Sequence, residues 1–443
     1  GALVSGALLK GDPATRWCDA RNYEHLLRIL RARSRPAVSS EPVEALTCFL
    51  HGWQTRFSAA DPVDRCFETV ERLRGLPLPA ALWETEVLPS RIPAYRSRDL
   101  DLLFAEGDVL WLGRGEAVVT LCFSEDLDLL QPEPVAPSAL LPDVHARYTL
   151  DAIVERHGRS AGEVTTELWQ DAWRGAISND SMAALRRGIE HDFTSGTPGA
   201  GESGRVRRGA FNRMRRSRPD AGNWFALPSP GEAPDSLALQ ELDKDRARMM
   251  LNRNGIVFRE LCQREDHSFA WGRVFRALRL MELSGEVVAG HFFEGIAGPQ
   301  YMTPAAVRFF QERFATPDHD RPVFHLCAAD PISPSGLGLG AHGEQLPRRL
   351  ASNHLVLHGA QLVLTSRRNG RSLSIYVPPE CPDLGRYLQL VQHLCYRSFQ
   401  PRRQFIIDEI NGEPAARSPY LEVLEQDFNI DRDYKSVRVQ REL

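Results

Sequence analysis

One local pattern occurs three times in this chain, and it restricts the fold more than any single residue does. Residues 98–123, 167–180 and 273–303 each contain a helix with apolar residues at helical spacing, then a glycine, then a short β-branched run. The glycine predicts the end of the helix, because a residue without Cβ adopts the left-handed conformation at low cost, and the run after it predicts a strand. Helices followed by a β-hairpin, repeated along a chain, indicate an array of winged helices.

The predicted fold class is therefore α+β and mainly α, with tandem winged-helix domains followed by a small β-barrel and a short α/β tail. Period-two segments separated by glycine-bearing turns begin beyond residue 320, and they predict the barrel. The predicted units are a helical or partial winged-helix domain at 1–75, winged helices at 76–127, 142–227 and 240–318, the β-barrel at 319–378, and a winged-helix-like α/β domain at 379–443. The second winged helix carries an Arg-rich insertion at 194–222.

Composition excludes several classes of protein. With 443 residues, 42% of them hydrophobic and 25% charged, the chain has enough apolar material for several globular domains. It contains no run of 18 apolar residues, so we expect no membrane contact. Its eight cysteines include no Cys-x-x-Cys pair, which favours a reduced, cytoplasmic protein. The first residues read like the interior of a longer polypeptide, so we expect a fragment.

The net charge of −4 is unlike that of a uniformly basic nucleic-acid binder, so any such contact must be local. Residues 205–218, here called the Arg-rich segment, contain seven arginines and no acid, and they follow a stretch poor in apolar residues at 194–204. Such a segment can lie along a phosphate backbone, although a solvated charge run is the alternative. The arginines assigned to this contact are Arg205, Arg207, Arg208, Arg213, Arg215 and Arg216.

The third repeat contains the clearest candidate recognition helix, at about 269–283. Its apolar residues recur at spacings of three and four, which predicts a buried stripe. Arg273, Arg276 and Arg279 occupy the other faces. They would meet phosphates or base edges if the helix binds DNA, but a helix in a stacked array can instead pack on a neighbour, and both readings remain open.

Metal-ligating residues form no clear constellation in the sequence. His319, His325 and Cys327 lie close together, but they read as ordinary loop and strand residues, and we predict neither a metal site nor another cofactor.

Several long motifs resemble one known family. LWQDAWRGAISND, at 168–180, resembles a motif of the large helicase-related (Lhr) proteins of bacteria, and GNWFALP, after the Arg-rich segment, looks like another. The blocks at 252–265 and 269–307 are similar to the most characteristic part of that family, and AADPISPSG and SNHLVLHG match motifs further on. The resemblance covers nearly the whole chain and is strongest at about 145–365.

The resemblance implies the C-terminal region of an ATP-dependent 3′-to-5′ DNA helicase linked to DNA repair. In that family the region assembles as a homotetramer, follows an N-terminal helicase core in the same polypeptide and resembles the AlkZ-type DNA glycosylases, and the helicases act on DNA or RNA:DNA hybrids. For this chain we expect single-stranded or forked DNA as the partner. Helicase chemistry needs a phosphate-binding loop that ends in Gly-Lys-Ser/Thr, and this sequence has none. We therefore expect no ATP binding by this chain, and an oligomerisation and nucleic-acid-binding role.

The resemblance also leaves an enzymatic alternative open, a uracil-DNA glycosylase. Base excision requires a carboxylate that stabilises a cationic sugar while water attacks. The family pattern places an aspartate near the C-terminus, where Asp431 and Asp433 are the nearest matches, although both read equally as surface acids. Asp330 is a further candidate that reads as a turn residue.

Overall fold

The computed structural model describes residues 2–9, 11–34, 39–131, 133–193, 221–229, 235–317, 320–402 and 404–440. The Arg-rich segment lies outside these described residues. Within them, no helix is both long enough and apolar enough to cross a membrane. The buried apolar side chains form four clusters, each of which joins residues from distant parts of the sequence.

The N-terminal third begins with a two-stranded sheet and ends with a hairpin followed by a short helix. Helix α4 continues directly into a π-helical turn, Trp83–Val87, here called the π-turn. The elements are β1 (Leu3–Gly6), β2 (Arg16–Asp19), α1 (Ala20–Ser34), α2 (Leu46–Gln54), α3 (Pro62–Leu73), β3 (Leu78–Pro79), α4 (Ala80–Leu82), α5 (Ser97–Glu106), β4 (Val109–Gly113), β5 (Val118–Phe123) and α6 (Leu127–Leu130).

Two further units with three-stranded sheets follow. In the first of them, helix α8 begins with a capping box, because the Ser160 hydroxyl accepts from the Glu163 amide and the Glu163 carboxylate accepts from the Ser160 amide. The elements are β6 (Arg147–Tyr148), α7 (Leu150–His157), α8 (Ala161–Trp173), β7 (Ile177–Asn179), α9 (Met182–Glu190), β8 (Trp224–Ala226), α10 (Ser236–Asn254), β9 (Ile256–Val257), α11 (Arg259–Cys262), α12 (Trp271–Ser284), β10 (Val288–Gly290), β11 (Gln300–Met302) and α13 (Pro304–Ala315).

The C-terminal part contains a six-stranded sheet and a last three-stranded sheet. The elements are β12 (Val323–Cys327), β13 (His354–His358), β14 (Gln361–Arg367), β15 (Ser372–Ile375), α14 (Leu384–Tyr396), β16 (Gln404–Ile407), β17 (Glu409–Ile410), β18 (Glu413–Pro414), α15 (Leu421–Asp427), β19 (Asn429–Arg432) and β20 (Val437–Gln440).

The four three-stranded sheets share one strand order. Their orders are β3-β5-β4, β6-β8-β7, β9-β11-β10 and β16-β20-β19. In each sheet the strand that comes last in the chain lies between the other two, so the hairpin folds back beside an earlier strand. The glycines of the repeated pattern have the predicted left-handed backbone, with φ of 87° at Gly107, 76° at Gly175 and 82° at Gly285. The prediction of winged-helix units within a mixed α/β fold is confirmed.

The prediction of a β-barrel at 319–378 is wrong. The predicted strands form, but they belong to an open sheet of order β12-β13-β14-β15-β17-β18, whose end strands β12 and β18 do not pair in the described structure. Both faces of this sheet are buried. Phe324 and Leu355 pack in one apolar cluster, whereas Val356 and Leu373 pack in another together with α14. Because helices cover both faces, the sheet buries its apolar residues without closing on itself.

Candidate nucleic-acid interface and carboxylates

The Arg-rich segment falls, in chain order, between the two strands of one hairpin. Strands β7 and β8 pair antiparallel, with Asn179 opposite Trp224, and residues 180–223, which include α9, connect them along the chain and are called here the wing insertion. The six predicted contact arginines, Arg205 to Arg216, all lie outside the described residues of this insertion.

The base of the wing insertion is tied by one carboxylate. Asp180 accepts from the backbone amide of Asn223 at 2.6 Å and from Nη1 of Arg147 at 3.0 Å. Gly222 has a φ of 72°, and a Cβ there would lie 2.5 Å from Oδ1 of Asn179, so the chain needs a glycine at this crossing. The Arg147 guanidinium, half exposed, also lies 4.6 Å from the Phe225 ring centre. The two ends of the insertion are therefore fixed close together.

The three candidate arginines of α12 differ in whether a carboxylate of a neighbouring helix lies beside them. Nε of Arg273 lies 3.1 Å from Oδ1 of Asp243 on α10, and Nη2 of Arg279 lies 3.7 Å from Oε2 of Glu24 on α1. Helix α12 packs against both of those helices. The structure thus places two of the three side chains beside carboxylates of neighbouring helices, as the packing alternative requires, while Arg276 is exposed to solvent.

Both candidate catalytic aspartates lie on the β19–β20 hairpin. Asp431 is 64% exposed, and its Oδ2 atom lies 3.7 Å from Nη1 of Arg438, its partner residue on β20. Asp433 is also exposed, and its Oδ1 atom accepts from the amide of Tyr434 at 2.7 Å. The hairpin therefore presents both carboxylates to solvent.

Asp330 occupies a buried junction instead. Its carboxylate receives two hydrogen bonds from the Arg91 guanidinium, at 2.8 and 2.9 Å, and both side chains have no exposed surface. Arg91 also donates from Nε to Oε1 of Gln54 at 2.8 Å. The expected turn is present, since the Asp330 carbonyl accepts from the Ser333 amide. Through Arg91, the Asp330 carboxylate thus joins three parts of the chain, those that contain Gln54, Arg91 and Asp330.

Sequence reasoning missed the two glutamates of the π-turn. Glu84 accepts from the Tyr95 hydroxyl at 2.7 Å and forms a buried ion pair with Arg186. Glu86 accepts from Nη1 of Arg397 at 2.7 Å and lies 3.2 Å from Nε2 of His354. The sequence does contain a signal for them, because two acids lie within the otherwise apolar run ALWETEVL. A carboxylate that is buried with such a run requires charged or hydrogen-bonding partners.

Burial and neighbouring charges together set the pKa values of these groups. Burial alone would raise the pKa of Glu86, but His354 and Arg397 outweigh it and hold the pKa below its ordinary value. Burial and the neighbouring Glu84 carboxylate raise the pKa of the Tyr95 hydroxyl. Burial lowers the pKa of His393, on α14, to about 4. Glu86 is therefore charged and His393 neutral at neutral pH.

A cleft of about 460 Å³ opens beside these residues. Its lining includes Tyr95, His325, Gln392, His393 and Arg397. The His325 and His393 rings lie 4.3 Å apart, centre to centre. The arrangement is polar and partly buried, but the candidate aspartates Asp431 and Asp433 do not line it.

The fold and the repeated hairpins define an array of winged helices, and comparison with known proteins shows which family these units resemble. Residues 42–124 and 238–321 match two models that are both described as large helicase-related protein, winged-helix domain. The resemblance to the large helicase-related family indicated by the sequence motifs is therefore confirmed.

Two relatives extend the similarity along most of the chain. A Mycolicibacterium smegmatis protein named Lhr helicase/probable uracil glycosylase is 29% identical over 412 residues, which is 84% of this chain and 26% of the relative. An Escherichia coli protein named Lhr helicase/uracil glycosylase is 27% identical over 453 residues, which is 93% of this chain and 28% of the relative. The chain thus spans about a quarter of the length of these relatives.

Among solved structures, the Streptomyces sahachiroi DNA glycosylase AlkZ aligns with a TM-score of 0.45 and 11% sequence identity. The alignment covers 80% of this chain and 97% of that one.

Proposed function

We propose that this chain is a nucleic-acid-binding region of an Lhr-type, ATP-dependent 3′-to-5′ DNA helicase that acts in DNA repair. The observation that supports the proposal is the position of the Arg-rich segment in chain order, between the paired strands β7 and β8 of one unit of a winged-helix array. Wings and loops commonly contact the DNA backbone, and arginine suits phosphate because its planar fork donates two parallel hydrogen bonds. The wing insertion then binds single-stranded or forked DNA through phosphate contacts, and the helicase core of the same polypeptide supplies the ATPase.

Salt dependence of DNA binding tests this proposal. Each phosphate neutralised contributes roughly 0.7 to 0.9 to the slope of log affinity against log salt concentration. Replacing Arg205, Arg207 and Arg208 by glutamine should therefore lower the slope by about 2 to 3 and weaken binding of single-stranded and forked DNA alike.

The matched control replaces three exposed arginines that carboxylates already hold, Arg248, Arg386 and Arg432. We expect the control to bind DNA like the original chain. Equal slopes for the control and the wing variant would rule out the wing contact.

We also propose that the chain self-associates, as a homotetramer, through its N-terminal segment. Leu3, Trp17 and Leu26 are 64%, 69% and 55% exposed, and Leu3 and Trp17 lie on one face of the β1–β2 hairpin. Exposed apolar groups of this kind are typical of protein interfaces. Light scattering should report four chains per particle, and replacing Trp17 and Leu26 by serine should yield smaller particles, whereas the same change at exposed Tyr434 should not.

A second candidate function is uracil excision from DNA, which the names of both relatives favour. In this proposal Asp431 or Asp433 approaches the sugar of the extruded nucleotide only when DNA is bound, because both carboxylates face solvent in the unbound chain. Uracil-bearing single strands incubated with the chain and then treated with alkali should be cut. Asp431→Asn and Asp433→Asn, made one at a time, test which of the two carboxylates is needed for cutting, and Asp408→Asn is the control. Cutting that persists in both variants would exclude this assignment.

A further inference from the structure

Three donor side chains from distant parts of the sequence meet in the interior beside the π-turn. Glu86, Cys327 and His354 are all buried, and one donor atom of each lies within 4.8 Å of the others. Cys327 and His354 are direct neighbours on the paired strands β12 and β13, and the π-turn brings Glu86 against them. None of the proposed nucleic-acid contacts uses these residues.

The spacing of these donors fits a tetrahedral metal ion. Oε2 of Glu86 lies 3.2 Å from Nε2 of His354. Two ligands held at zinc distances of about 2.0 to 2.1 Å in a tetrahedron would lie about 3.3 Å apart. The Cys327 sulfur completes the triangle within 4.8 Å, so a small inward rotation would bring it to bonding distance.

The remaining bonds of these residues leave the donors available. The second oxygen of Glu86, Oε1, accepts from Arg397, so Oε2 is the one turned toward His354. The Cys327 sulfur accepts from the amide of Ala329 at 3.4 Å and lies 3.8 Å and 3.9 Å from the carbonyl oxygens of Ala351 and Leu350, and all three are weak contacts for a thiol.

Three buried histidine nitrogens on the six-stranded sheet and on α14 have no hydrogen-bond partner. Among the described residues, Nδ1 of His354, Nε2 of His325 and Nε2 of His393 are buried and make no hydrogen bond. Buried polar atoms of this kind call for an ion or an ordered water.

We propose that Glu86, Cys327 and His354 bind one zinc ion, with a water molecule as the fourth ligand. Thiolate, imidazole and carboxylate together suit zinc, whereas magnesium and calcium prefer oxygen ligands alone. Binding releases the thiol proton, because a metal-bound cysteine is a thiolate. The burial of all three residues makes the role structural: the ion fastens the π-turn of the first winged helix to the six-stranded sheet.

Metal analysis of the whole chain tests this inference independently of DNA binding. Chain purified from zinc-supplemented cells should carry one zinc per molecule by mass spectrometry of the digested sample. Cys327→Ser and His354→Gln should reduce that to background, whereas Cys122→Ser, which changes a buried cysteine elsewhere, should keep one. Less than stoichiometric zinc in the original chain, or full zinc in Cys327→Ser, overturns the proposal.

A spectroscopic measurement keeps the test valid if a variant folds poorly. Cobalt added to the chelator-treated original chain should give the tetrahedral visible bands and a thiolate-to-metal charge-transfer band. Zinc should abolish both and raise the melting temperature, because a ligand that binds only the folded state stabilises it. Cobalt spectra without the thiolate band would also overturn the assignment.

Discussion

The buried ion pair between Arg91 and Asp330 should dominate the stability of the junction that it occupies. Asp330→Asn keeps the shape and volume of the side chain but removes its charge. The Arg91 guanidinium then has a single carbonyl oxygen where it had a carboxylate, and it has no exposed surface through which water could compensate. An unpaired charge in such a place is costly, because the desolvation penalty is no longer offset.

The magnitude follows from burial. Removing one partner of a buried ion pair costs about 3 to 5 kcal/mol, and we expect about 3 for this change because asparagine retains one acceptor. Asp408→Asn is the matched control, since Asp408 is 39% exposed and lies 3.4 Å from Arg371, which is 57% exposed. An exposed pair of this kind contributes about 0 to 1 kcal/mol.

Urea unfolding followed by tryptophan fluorescence measures the difference, with the first transition compared because several domains can unfold separately. With a slope of about 1 to 3 kcal/mol per molar urea, Asp330→Asn should lower the midpoint by about 1 M or more. Adding Arg91→Met to Asp330→Asn should recover part of the loss, because the buried charge is then gone. A midpoint equal to that of Asp408→Asn, or strictly additive losses in the double variant, would refute the reasoning.

Three further predictions concern other sites. His51 is buried and its pKa is lowered to about 3 by burial and by Arg91, so its contribution to stability is complete above the ordinary pKa of 6.5 and is lost as pH falls toward 3. The loss is about 2 kcal/mol at about pH 5, and His51→Gln should therefore show a flatter melting temperature between about pH 7 and 5. Ser160→Ala removes the N-cap of α8 and should lower the free energy of unfolding by about 1 kcal/mol in urea. Equal urea midpoints for this variant and the original chain would contradict the prediction. Gly113→Ala would place a Cβ 1.8 Å from the Ala172 carbonyl oxygen and should cost about 3 kcal/mol in urea unfolding, whereas Gly272→Ala meets nothing within 4 Å and should be neutral or stabilising.

The repeated units could be predicted from the sequence because their determinants are local. Gly107, Gly175 and Gly285 mark the ends of helices within a few residues of the strands that follow, and each has the left-handed backbone that glycine tolerates. The motifs that resemble the large helicase-related family pointed to the same units. Local spacing and long motifs thus specify the module.

The barrel prediction failed because closure of a sheet is not a local property. The alternation at 323–375 correctly indicates strands, but it does not say which elements cover each face. Residues of α2, α13 and α14 cover the two faces here, and that contact depends on segments far away in the sequence. The same limit applies to Arg91 and Asp330, which are 239 residues apart.

The positions of the arginines in the structure show that their abundance does not by itself indicate nucleic-acid binding. Lysine occurs at three positions only, so arginine supplies nearly all of the positive charge. Arg186 donates to Glu84, to Asp101 and to the Ser97 carbonyl at once, which the single ammonium of lysine could not match in geometry. Arg91 and Arg397 use their forks in the same way at other junctions. Arginine in this chain is therefore a structural clamp between units, and nucleic-acid contact has to be argued from position, as it is for the wing insertion, and not from composition.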